Sequence, residues 1–161
     1  MSFNKHVYLY IDPRSYANLA LYDYGFLSAL KTHYPSLNLF LAGSHLYNLS
    51  DSYDFLFLPF FSYSNKHLIF RPFLYVLSLC RLYLFIINNK PRFIHFQWTL
   101  LPLVDFLFIL LVKFTSNSFL ILTIHNPVPK TKGLQDFLLP FIYKLFDYLI
   151  FHSHKSSSRF H

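Results

Sequence analysis

Three short apolar runs in the second half of the chain end in side chains that can bind ligands or move protons. They are Phe93-Ile94-His95-Phe96-Gln97-Trp98, Phe119-Leu120-Ile121-Leu122-Thr123-Ile124-His125-Asn126 and Tyr148-Leu149-Ile150-Phe151-His152-Ser153. An imidazole at a strand end can donate to a sugar hydroxyl, a phosphate oxygen or a leaving group, and it titrates near neutral pH. His125, followed by Asn126, Pro127 and Pro129, is the sharpest such position. Its plainer role is a ring that caps its own loop. His95 lies inside its apolar run and reads first as a satisfied core histidine. Strand alternation puts His95 and Gln97 on one face and Phe96 and Trp98 on the other. Trp98 suits sugar stacking beside those polar groups, and suits core packing better.

Other chemistries are poorly served. His152 and His154 are two apart, but no Cys, carboxylate or further histidine accompanies them at ligand spacing, so no metal site is expected. A phosphate or sugar contact at the strand end fits His152-Ser153 better, with a solvated tail as the alternative. There is no Gly-x-Ser-x-Gly elbow for a nucleophile. Asp12-Pro13-Arg14-Ser15-Tyr16, after the first strand, has no glycine with which to cradle a nucleotide phosphate. The lone cysteine, Cys80, excludes an intrachain disulfide and a Cys-rich zinc site, and fits a reducing compartment.

Alternating short strands and helices must position these residues. Strands are expected at Val7–Ile11, Leu37–Leu41, Tyr53–Phe57, Phe93–Phe96, Phe119–Ile124 and Tyr148–Phe151. Between them, helices are expected at Ala17–Thr32, Leu68–Ile87, Pro102–Phe114 and Leu134–Phe146. Tyr34-Pro35 stops the first helix, Asn88-Asn89-Lys90-Pro91 is a turn, and Pro102 suits a first helical turn. The alternation predicts a three-layer, Rossmann-like α/β domain with a mostly parallel sheet and right-handed crossovers. In such sheets ligands bind at the carboxyl ends of the strands, where Gln97, His125, Asn126, His152 and Ser153 fall.

Composition narrows the partners. The 161 residues fit one domain, yet 54% are hydrophobic, 22% aromatic and only 13% charged. Soluble domains carry about 25% charged residues, so this surface must expose apolar area, cover it with a partner or rest on a membrane. A net charge of +7 favours anionic partners such as phospholipid headgroups or phosphorylated ligands. The basic residues are scattered singly, which argues against nucleic acid. The start, Met1 to Ile11, does not read as a secretory signal. Leu68 to Ile87 is long enough to span a bilayer, but Arg71, Pro72 and Arg81 make an interfacial or buried helix the better reading.

The order His-Phe-Gln-Trp-x-x-x-Pro-x-x-Asp (His95 to Asp105), Thr-x-His-Asn-x-x-Pro (Thr123 to Pro129) and Asp-x-x-x-x-His-Ser (Asp147 to Ser153) resembles the N-terminal domain of family 4 glycosyltransferases with the GT-B fold. The likeness covers most of the chain and is pointed from about Pro91 to Ser153. It implies residues 1–153 as an acceptor-side domain and 154–161 as a polar tail. It also implies that the C-terminal donor domain, which holds the nucleotide sugar through a Glu-x7-Glu-like motif, is absent here. Transfer in such enzymes retains configuration, occurs between two domains and needs no metal or other cofactor; the nucleotide sugar is a substrate. By that resemblance His125 would be the catalytic contact, with Gln97, Asn126, His152 and Ser153 binding substrate along the same edge. The glycine-rich first loop of the family is missing at Asp12 to Tyr16.

The chain is therefore expected to be half of a sugar-transferring enzyme of polysaccharide biosynthesis, inactive alone. Its expected partners are a donor domain or a chain carrying one, a glycan or lipid-linked acceptor, and an anionic membrane surface. Its expected place is the cytoplasm, peripheral at the inner face of the membrane. The alternative is a non-enzymatic membrane-peripheral protein or a gene remnant.

Overall fold

A computed structural model describes residues 6–14, 18–44, 55–61, 68–125 and 134–151. Six strands form one sheet: β1 (Val7–Asp12), β2 (Asn38–Gly43), β3 (Phe55–Leu58), β4 (Phe93–Phe96), β5 (Phe119–Ile124) and β6 (Tyr148–Phe151). Four helices alternate with them: α1 (Asn18–His33), α2 (Arg71–Asn89), α3 (Pro102–Thr115) and α4 (Leu134–Leu145). A short 3-10 turn, Leu68–Phe70, leads into α2. Every strand pair is parallel, and the spatial order is β3-β2-β1-β4-β5-β6. The fold is the three-layer, Rossmann-like α/β class, with a sheet wholly rather than mostly parallel.

The last three strands fall on their expected residues. Earlier boundaries shift. Residues β2 was expected to exclude, Ala42 and Gly43, extend it because they pair with Ile11 and Asp12. α2 begins at Arg71, with Pro72 in its first turn, where a missing N–H costs nothing. It runs on to Asn89 and ends on Lys90 in the left-handed conformation (φ 46°, ψ 56°). α3 is capped by Asp105, whose carboxylate accepts the backbone N–H of Leu100 (2.6 Å) and Leu101 (2.8 Å). The Tyr75 hydroxyl of α2 donates to the same carboxyl at 2.5 Å, tying the two helices together.

Side-chain alternation separates the two faces of the sheet. One face carries Leu9, Ile11, Ala42, Ile94, Phe96, Leu120, Leu122 and Ile124, all buried against α2, α3 and α4. The other carries Tyr8, Tyr10, Leu39 and Leu41, packed under α1 through Leu27, Phe26 and Leu30. Parallel register puts Asp12, His95, Gln97, Thr123 and His125 on this second face too. The α1 face is thus the one with chemistry.

Candidate functional site at the carboxyl edge of the sheet

The site begins inside the sheet. His95, fully buried, bridges two strands: its Nδ1 meets the Tyr8 hydroxyl at 2.8 Å and its Nε2 meets Thr123 Oγ1 at 2.7 Å. Burial pushes its pKa down to about 3, with the nearby His125 adding to the effect, so the ring stays neutral. His95 is thus a structural histidine with both nitrogens engaged. Its row carries the polar stripe of the α1 face towards the strand ends.

One step along lies a buried acid pair that sequence reasoning missed. Asp12 ends β1 at 1% exposure and Asp23, in the second turn of α1, is at 0%. Asp12 Oδ1 accepts the Arg14 backbone N–H at 2.7 Å, and Asp23 Oδ1 accepts the Tyr10 hydroxyl at 2.9 Å. Burial first, then the Asp23 charge and a hydrogen bond to Asp23, push the Asp12 pKa up to about 8 against the lowering effect of the Arg14 N–H and charge. At neutral pH the pair therefore holds a proton that two isolated carboxylates would have lost. Tyr10 is pushed up as well, by burial and then by Asp23.

The readable signal was a helical stripe. Asp23, Phe26 or Leu27, and Leu30 recur at three-to-four-residue spacing, so the acid sits on the core-facing side. Tyr22, one position before Asp23, is 44% exposed.

At the edge itself the chain brings two expected site residues together. His125 Nε2 lies 2.7 Å from Gln97 Oε1. An amide oxygen can only accept, so His125 carries a proton on Nε2, and the neutral ring has its lone pair on Nδ1. Gln97 is 1% exposed; its Nε2 faces Tyr22 without reaching hydrogen-bonding geometry to a described acceptor. The expected core role of Trp98 is not what the structure shows. The strand ends at Phe96, alternation lapses, and the half-buried indole stacks on the His125 ring with centroids 4.0 Å apart and planes within 4°. The Arg14 guanidinium lies 5.2 Å from the same indole centroid. The first loop, without its glycines, thus supplies a cation to the stack.

Asn126, His152, Ser153 and the tail 154–161 lie outside the described residues. Among the described residues no three His, Cys, Asp or Glu side chains gather into a metal-binding group. The assembly that is present can offer the half-buried His125, oriented by the buried Gln97, to a hydrogen-bonding ligand and can store a proton on the Asp12–Asp23 pair. No protein-family model, curated protein or solved structure matches the chain.

Proposed function

We propose that this chain is the acceptor-side domain of a retaining GT-B glycosyltransferase, which moves sugar from a nucleotide sugar to a glycan or lipid-linked acceptor. The observation that carries the reading is the Gln97–His125 pair at the carboxyl edge of a parallel sheet, where doubly wound folds bind ligands. In this reading His125 contacts the acceptor or the transferring sugar, held by Gln97 and by the stack on Trp98. By the resemblance, Asn126, His152 and Ser153, which lie outside the described residues, bind substrate. The described residues form one Rossmann-like unit, so the nucleotide sugar needs a second domain, in the same reading frame or on a partner chain. The setting is cytoplasmic, at the inner face of the membrane.

The test incubates the chain, with and without a separately supplied donor domain, with a panel of nucleotide sugars and membrane extract. Transfer should require the donor domain and fall by about 10²–10⁴-fold in His125→Ala, the usual weight of a positioned acid or base. Transfer by the 161-residue chain alone would overturn the half-enzyme part. Transfer indifferent to His125→Ala would overturn the site.

A second reading, a membrane-peripheral protein without catalysis, draws on one observation. The outward face of α2 presents Phe73, Val76, Leu77 and Leu84 beside the exposed Arg81, an apolar surface with a cation.

A further inference from the structure

α2 and α3 run side by side on the apolar face of the sheet, and two cavities open along their seam. One, of about 320 Å³, lies between Val76, Cys80 and Leu84 of α2 and Val104, Phe108 and Leu111 of α3. Its walls are hydrocarbon apart from the Cys80 thiol and the Tyr83 ring. The other, of about 290 Å³, lies where both helices end, among Ile87, Lys90, Arg92, Thr115, Ser116 and Asn117. From Leu84 to Ile87, and from Leu111 to Thr115, is one helical turn of about 5.4 Å. An apolar groove thus runs into a polar, basic pocket.

The chemistry at the polar end selects an anion. Lys90 Nζ makes no hydrogen bond or ion pair to a described residue, and the Arg92 guanidinium meets only the His6 ring, at 3.1 Å, and the Phe93 face among the described residues. Ser116 Oγ is buried and without a partner, whereas Thr115 and Ser118 spend their hydroxyls on Leu111 and Pro91 carbonyls. No carboxylate lines either cavity. The only acid of α2 and α3 is the buried Asp105. Lys90 also occupies a left-handed position where glycine or asparagine is usual, so a cation stands there against the backbone preference.

The surroundings select a lipid rather than a free ion. The groove is flanked by exposed Leu77 on α2 and by Leu103, Leu107 and Phe114 on α3. α2 is long and apolar enough to cross a membrane, but it is bonded to α3 through Tyr75 and Asp105 and serves as the crossover from β3 to β4 within the sheet. A helix held in this way offers a bilayer its outward face rather than its length.

We propose that the α2–α3 seam seats one anionic phospholipid of the bilayer, with hydrocarbon in the groove and phosphate at Lys90, Arg92 and Ser116. This deepens the membrane-facing part of the reading above and is independent of sugar transfer, because it is tested with no nucleotide sugar present.

The full chain is sedimented with vesicles of phosphatidylcholine, alone or with one third phosphatidylglycerol. Binding is expected on the anionic vesicles. Lys90→Gly, which suits the left-handed backbone, should weaken it about fivefold, the weight of one lysine near a charged surface. Leu84→Asp and Leu111→Asp, at exposed positions, should abolish it while leaving the circular dichroism spectrum intact. In solution, dihexanoyl phosphatidic acid should shift the Ser116 and Asn117 amide resonances and inorganic phosphate should not. Equal shifts with inorganic phosphate would make this a free-phosphate pocket and overturn the proposal. So would binding unchanged in Lys90→Gly, equal binding to neutral vesicles, or a dimer that buries Leu84 and Leu111 without vesicle binding.

Discussion

Ile94 and His95 are neighbours on one strand, both fully buried, and they face opposite halves of the molecule. Ile94 meets α2, α3 and α4 through hydrocarbon alone. His95 meets Tyr8, Thr123, Tyr10 and Phe26 through two hydrogen bonds and edge-on ring contacts. On the apolar face every strand sends a side chain into the core, although Leu56 of β3 stays 57% exposed. Among the described residues α1 is the helix on the other face, where Phe119, Tyr148 and Ile150 stay 40–57% exposed. The face that provides shape is hydrocarbon; the face that provides chemistry is polar. A row of satisfied polar groups lets strand ends deliver Asp12, Gln97 and His125 without an abrupt change from core to water.

If the apolar face carries the stability, Ile94→Ala should be the most damaging single change. It should cost about 2–5 kcal/mol in urea unfolding, as for other buried aliphatic truncations. His95→Phe tests the opposite face. It keeps bulk but strands the Tyr8 and Thr123 hydroxyls, for a loss of about 1–3 kcal/mol, and Tyr8→Phe and Thr123→Val added together should recover part of it. No recovery would mean that the polar row is packing rather than a network.

The smallest and most specific effect is in the pH dependence. Between pH 6.5 and 8 the folded chain holds a proton on Asp12 that the unfolded chain, with its ordinary value of 3.8, has lost. Stability should therefore fall as pH rises through that window, by at most about 1.4 kcal/mol per pH unit. At the lower edge of that window two other groups still titrate. His95, neutral in the fold but taking up a proton near its ordinary 6.5 when unfolded, opposes the slope, and Asp105, raised to about 6, adds to it, so the Asp12 slope is read above about pH 7.5. Asp12→Asn should flatten the slope; a slope that survives in the variant would assign the proton to another group.

How much of this was legible follows from how local each signal is. β4, β5 and β6 are short apolar runs punctuated by Asn88-Asn89-Lys90-Pro91 and Pro102, and such local signals name their own boundaries. The strand order was not readable, because it is fixed by pairing between distant segments. Gln97 and His125 were readable as strand-end polar residues; their hydrogen bond spans 28 positions and was not. Trp98 was misjudged because alternation holds only while the strand continues, and the strand stops at Phe96. The spacing of α1 puts Asp23 on the core-facing stripe, but its partners Tyr10 and Asp12 come from β1, and that pairing is not written in α1.

The central place of β1 also has a kinetic consequence. β1 finds one partner, β2, just past α1 and the other, β4, across the whole of α1, β2, β3 and α2; the Tyr8–His95 bond closes a loop of 87 positions. Closing such a loop costs chain entropy before any contact is gained, so a sheet built this way folds in the slow regime of high contact order. Docking of β1 onto β4 is then the late, long-range step on which completion of the sheet depends.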